Sequence, residues 1–185
     1  GANKFCGEYI PLRYKSRKDK HPPIIAICDV SGSMSRYSRM LLHFMHVLTT
    51  LRNDVHTFLF GTRLTNVTRF LRFKDVDEAL AATSSAVEDW SGGTRIGDCL
   101  KEFNFNWSRR VLGPGAIVLF ITDGLDRGGG IGLSKQIKVI QKSSKRLIWL
   151  NPLLRYEEFA PKPTGVKAIL PPVSYTHLRA HETGY

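Results

Sequence analysis

The sequence predicts an α/β protein, a doubly wound and mostly parallel sheet with one antiparallel edge strand. Three observations predict it. Ile24–Asp29 (IIAICD) and Ala116–Asp123 (AIVLFITD) are short unbroken apolar runs that end in a carboxylate, the pattern of strands buried on both faces. Segments with apolar residues at helical spacing alternate with these runs, an order that builds parallel sheets. Gly61-Thr62 separates two further strand-like runs, Val55–Gly61 and Arg63–Thr68, closely enough to pair them as an antiparallel hairpin.

Residues 1–21 lack periodicity and carry Arg13, Lys15, Arg17, Lys18 and Lys20 ahead of His21-Pro22-Pro23. They read as a basic linker, or as the end of an upstream region, before a domain over residues 22–173. The first strand, Ile24–Asp29, is followed by a helix that Ser35 or a neighbour is expected to cap and that runs to Leu51. Its apolar members Met40, Leu41, Phe44, Val47, Leu48 and Leu51 are expected to form the buried side. His43 and His46 lie toward another side; without a third ligand they read as an exposed or internally satisfied pair, not a metal site. After the hairpin, Asp75–Val87 is a helix with Val76, Leu80 and Val87 inward. Ile96–Trp107 is the next helix, with Ile96, Leu100, Phe103 and Trp107 spaced by three or four. Gly113-Pro114-Gly115 breaks the chain before the strand that ends at Asp123. The glycine-rich loop Gly124–Gly130 follows, then a basic helix over Leu133–Ser144, a strand at Leu147–Leu150 stopped by Asn151-Pro152, and a last strand at Val166–Leu170. Residues 174–185 (SYTHLRAHETGY) have no core pattern and resemble a translated adapter sequence, so they are expected to be a non-native tail.

A chain of 185 residues suits one domain with a full core. Its longest apolar run, near Ile117–Ile121, is far short of the roughly 20 residues that span a bilayer. Cys6, Cys28 and Cys99 form no metal or redox pair, and an odd, unspaced set fits a reducing, cytoplasmic compartment. The net charge is +11. Lys135, Lys138, Lys142, Lys145 and Arg146 fall in a stretch without an acid. Such a patch fits nucleic acid or an acidic protein, but no helix-turn-helix, zinc-finger or RNP signature accompanies it, and a solvated helix face is the plainer reading.

The chemistry gathers at the ends of the two apolar strands. Asp29, Ser31 and Ser33 place a carboxylate and two hydroxyls at alternate positions in the turn after the first strand. In open α/β sheets the carboxyl edge is where ligands bind. Ser91-Gly92-Gly93-Thr94 presents another hydroxyl, and Asp123 ends the second strand ahead of Gly124. All are hard oxygen donors, which suit Mg²⁺ or Mn²⁺ and not zinc. Each piece alone is an ordinary capping or turn motif; the set in this order is specific.

Asp-x-Ser-x-Ser with a distant Gly-Gly-Thr and a distant Thr-Asp-Gly resembles the metal-ion-dependent adhesion site (MIDAS) of von Willebrand factor A (VWA) domains, matched at Asp29, Ser31, Ser33, Thr94 and Asp123. Within that superfamily the chain resembles the CoxE-like proteins. The residues that carry this likeness are FGTRLT from Phe60, DWSGGTRIG from Asp89, Asp123-Gly124-x-Asp126-Arg127-Gly128, and RLIWLNPL from Arg146. Leu125 stands where the family often has Trp. The resemblance implies a Rossmann-like VWA fold and a cytoplasmic accessory protein that works with a MoxR-type AAA+ ATPase in maturation or metal insertion of a client enzyme, such as a molybdenum hydroxylase of the carbon monoxide dehydrogenase kind. It implies that Ser31, Ser33 and Thr94 hold the ion, with Asp29 and Asp123 acting mostly through waters or hydrogen bonds. A metal with neutral ligands is completed by an Asp or Glu of a partner. Arg95 and Arg127 flank the ligand turns as candidate partner contacts; Asp126 is a further candidate contact and reads first as a residue that orders its loop. The expected role is therefore recognition, not catalysis. Two alternatives remain: a basic nucleic-acid-binding domain, and a Mg²⁺-dependent hydrolase in which an open metal position activates water. The latter lacks an evident general base, and the sequence has no phosphate-binding GxxxxGK[ST] loop and no GxSxG elbow.

Overall fold

The computed structural model describes residues 21–87, 93–128, 130, 132–152 and 174–175. In chain order the elements are β1 (Ile24–Asp29), α1 (Ser35–Leu51), β2 (Val55–Phe60), β3 (Leu64–Asn66), α2 (Val76–Ala86), α3 (Ile96–Glu102), α4 (Ser108–Val111), β4 (Ile117–Ile121), α5 (Leu133–Ser143), β5 (Arg146–Leu150) and β6 (Ser174–Tyr175). They form one sheet in the order β3-β2-β1-β4-β5-β6. Only β3 runs antiparallel, against β2, so the doubly wound mixed sheet expected from the sequence is the fold observed.

Alternation along β1 sorts the core into two layers, since successive side chains of a strand point to opposite faces. Ile25 and Ile27 join Phe58, Phe60, Phe120 and Trp149 under α3 and α5. Ala26 and Cys28 join Met34, Leu42, Met45 and Leu71 under α1 and α2. Phe58 is met edge-on by Phe103 and Trp107, with ring centroids 5.2 and 5.3 Å away. Burying Phe58 and Phe103 fully stabilises the fold by about 1.5–3 kcal/mol each.

Several sequence expectations need correction. The buried side of α1 is Ser38, Leu42, Met45, His46 and Thr49; Met40, Phe44, Val47 and Leu51 face outward. The inner side tolerates polar residues because each finds an acceptor: Ser38 Oγ donates to Met34 O and Thr49 Oγ1 to Met45 O within the helix, and His46 Nε2 lies 2.9 Å from Phe73 O, 27 residues on. The helix has no capping side chain at its start; a 3₁₀ turn over Gly32–Met34 leads into it. The helix expected over Ile96–Trp107 is interrupted by a π turn at Phe103–Trp107 before α4. There the Asn104 side chain donates to O and Oε1 of Gln136, tying the turn to α5. Beside these corrections, Ser174–Tyr175 pair in parallel with Ile148–Trp149. The strand expected at Val166–Leu170 lies outside the described residues. Among the described residues no helix is long and apolar enough to cross a membrane.

Candidate metal centre

The parallel register brings the site together. Cys28 pairs with Ile121, and Asp29 with Phe60, so β1 and β4 end side by side. They flank the point where the chain leaves for opposite edges of the sheet, where open α/β sheets bind ligands. Asp29, Ser31, Thr94 and Asp123 are all buried, and Ser33 is exposed at the mouth.

Asp29 organises the first turn. Its Oδ1 accepts the Ser31 amide at 2.8 Å, and its Oδ2 accepts the Thr122 hydroxyl at 2.7 Å. With both oxygens engaged, Asp29 positions the turn and need not touch an ion itself. Burial pushes its carboxyl up to about 6, against the lowering pull of the Ser31 and Thr122 hydrogen bonds; the neighbouring Asp123 adds to the rise. The Ser31 and Ser33 hydroxyls lie 3.2 Å apart. Adjacent ligands of an octahedral Mg²⁺ at 2.0–2.1 Å stand about 3.0 Å apart, so the pair is spaced to share one ion.

Asp123 is the feature that most needs a ligand. Its Oδ1 accepts the Leu125 amide at 2.9 Å. Its Oδ2 is buried and has no hydrogen-bond partner among the described residues, a state that costs a carboxylate dearly unless a cation is nearby. The residues present therefore fit a divalent ion held by oxygen. They do not fit a zinc site of nitrogen and sulfur: among the described residues no three His, Cys, Asp or Glu side chains cluster. Burial pushes the Cys28 and Cys99 thiols up to about 12, which keeps them neutral.

The third piece is held by a brace in which Asp126 orders its loop. Asp126 Oδ1 accepts the amides of Ile96 and Gly128, and Oδ2 accepts that of Gly130. The Arg127 amide donates to Thr94 O at 2.9 Å. The loop after Asp123 is thus fastened to the turn bearing Thr94. A Cβ at Gly93 would overlap the Arg127 side chain, so glycine there lets the guanidinium lie across the turn. Arg95 is exposed beside Thr94, and its amide donates to Gly61 O. Ser91 and Gly92 lie outside the described residues.

Three residues escaped sequence reasoning. Thr122 joins the two strand ends, donating to Asp29 and accepting the Gly124 amide at 3.0 Å. Trp149 Nε1 holds Thr122 O, and Asn151 Nδ2 holds Asp123 O at 3.3 Å. A threonine at the end of an otherwise apolar run was the one available signal.

With this geometry in view, the sequence profile described as "VWA domain containing CoxE-like protein" matches residues 2–181. The chain belongs to the VWA CoxE-like family. No curated protein matches it. Among solved structures it is similar to proximal thread matrix protein 1 of the mussel byssus, at 19% identity and a TM-score of 0.57, covering 84% of this chain and 43% of that one. A second crystal form gives 19% identity, a TM-score of 0.56, and 85% and 44% coverage. The form with a zinc-occupied MIDAS motif gives 18% identity, a TM-score of 0.54, and 85% and 44% coverage. The chain thus spans less than half the length of these neighbours, and at such identities the likeness shows the fold alone.

Proposed function

We propose that this VWA CoxE-like chain is a metal-dependent protein-interaction module. In this reading Ser31, Ser33 and Thr94 hold Mg²⁺ or Mn²⁺, Asp29 and Asp123 orient and balance it, and an Asp or Glu of a partner protein completes the coordination. The observation that carries it is the Asp123 Oδ2, buried and without a hydrogen-bond partner among the described residues, at the same sheet edge as two hydroxyls spaced for one ion. Hard oxygen donors favour Mg²⁺ or Mn²⁺ over zinc, although the byssus neighbour has a zinc-occupied form. The bound ion would supply a Lewis acid whose neutral ligands leave it a strong attractor of anions. The positive end of α1 adds to that preference.

The reading is of recognition, with no catalytic step. Asp126 has both oxygens engaged by backbone amides, and Asp29 is likewise occupied, so neither is free to take a proton from water. The partner class is a MoxR-type AAA+ ATPase or its client enzyme, which the module helps to mature or load with metal, in the cytoplasm; the free, buried Cys28 and Cys99 agree with a reducing compartment. Arg95 and Arg127 stand at the rim to pair with acids around the incoming carboxylate.

A binding titration against the cognate ATPase tests this, with Mg²⁺, with EDTA, and with Ser31→Ala or Thr94→Ala. Loss of binding in all three perturbations is expected. Unchanged affinity in folded variants would refute it. One observation favours a second reading: Lys135, Lys138, Lys142, Lys145 and Arg146 are all exposed. None has a carboxylate within ion-pair distance among the described residues. A nucleic-acid partner would bind indifferently to EDTA and weaken steeply with salt, the opposite pattern.

A further inference from the structure

Helix α1 is amphipathic the wrong way round. Its inner side spends three positions on Ser38, His46 and Thr49. Met40, Phe44, Val47 and Leu51 are 61%, 50%, 52% and 74% exposed. At about 100° per residue, these four and Arg36 fall within an arc of about 80° and extend over roughly 22 Å. A stripe of this kind marks an interaction surface. Its head is basic: Arg36 and Arg39 are exposed in the first turns, no acid stands in the first turn, and cations there oppose the helix dipole. That head adjoins Ser33, one of the candidate metal ligands.

We infer that the outer face of α1 docks an apolar helix of the partner, laid along Met40, Phe44, Val47 and Leu51 with an acidic end at Arg36 and the metal position. This rests on the metal-dependent reading above and names the shape of the segment that brings the carboxylate. Charge and continuity choose the occupant. The apolar stripe runs directly into a cationic head, so a helix that is apolar along one side and acidic at one end matches both parts. A second copy paired antiparallel about a two-fold axis would set the exposed Arg36 of each chain against the Leu51 end of the other. A lipid surface is disfavoured because no Lys or Arg flanks the stripe between Met40 and Leu51, whereas helices that lie on membranes carry cations along their length.

The experiment places a benzoylphenylalanine photocrosslinker at Phe44 in the full-length protein in its own cells, and sequences the crosslinked peptide. The expected product is a peptide of a different protein with apolar residues at helical spacing and Asp or Glu at one end, its yield falling at least fivefold in Thr94→Ala. A crosslink within the same chain, a crosslink to a second copy, or no crosslink overturns the inference. Binding of the captured partner by purified Phe44→Ser and Val47→Ser separates the two proposals. Both positions are exposed, so circular dichroism should match the wild type; each variant should bind at least about tenfold more weakly. If Thr94→Ala and EDTA abolish binding while both stripe variants bind normally, the docking strip is wrong and the metal reading stands. If the stripe variants fail but Thr94→Ala and EDTA change nothing, the metal reading is wrong, and the acidic end assigned here falls with it.

Discussion

Replacing Thr122 by valine is the most informative single change, because it removes one hydroxyl of near-equal volume from the joint between β1 and β4. That hydroxyl donates to Asp29 Oδ2 at 2.7 Å and accepts the Gly124 amide at 3.0 Å. A hydrogen bond to a charged acceptor contributes about 1.5–3 kcal/mol, and a buried amide left without an acceptor costs about 1–3 kcal/mol. Relaxation of the loop recovers part of this, so Thr122→Val should destabilise by about 3 kcal/mol. In a domain of this size that lowers Tm by about 6–12 °C. The pH dependence is a sharper signature. Asp29 has a folded pKa of about 6 against an ordinary 3.8. An acid whose folded pKa is raised has its stability intact below the unfolded value and loses it as pH rises through the folded value. The Thr122 bond holds that rise down. Without it the folded pKa climbs further, so the deficit of Thr122→Val should be larger at pH 7.5 than at pH 4. Urea denaturation in EDTA at both pH values measures this, with Thr122→Ser retaining most of the stability. A deficit under about 0.5 kcal/mol at both pH values, against a hydrogen-bond scale several times larger, would refute the account of the joint.

Two further outcomes follow from the same geometry. Asp123→Asn keeps an oxygen for the Leu125 amide and removes the negative charge from the buried, partnerless end; in EDTA it should equal or exceed the wild type in Tm, while calorimetry shows its Mg²⁺ binding weakened at least about tenfold, a trade of stability for function. Asp126→Ala frees three backbone amides and should cost about 2–4 kcal/mol in urea unfolding; because it lets Thr94 drift, it should also weaken Mg²⁺ binding, and unchanged binding would mean the brace is not needed to place Thr94.

Strands β1, β2, β4 and β5 were legible because they depend on local pattern. An unbroken apolar run ending in Asp has few other meanings, and the register Cys28↔Ile121 brings Asp29 and Asp123 to neighbouring strand ends, with Thr122 opposite Asp29. The inner face of α1 was illegible for a definite reason. Periodicity locates an apolar stripe but does not say whether core or solvent receives it, and Ser38, His46 and Thr49 look like surface residues until their acceptors are seen. Asp126 reads from the sequence both as an acid that orders its loop and as a candidate contact, and its carboxylate does gather the amides of two loops 30 residues apart. The π turn left no trace, since Ile96–Trp107 keeps helical spacing through it.

The hydrogen bond from Thr122 to Asp29 spans 93 residues of sequence, and Thr94 comes from a third region of the chain. No partly folded copy can gather these groups, so the unfolded chain offers an ion nothing better than scattered hydroxyls. Ligand bound at this joint therefore counts entirely toward the folded state, by about 2.7 kcal/mol at a hundredfold excess over its Kd. A partner that reaches in with a carboxylate is then an inspector as well as a ligand: it engages only those copies in which the sheet has closed in register, and passes over the rest.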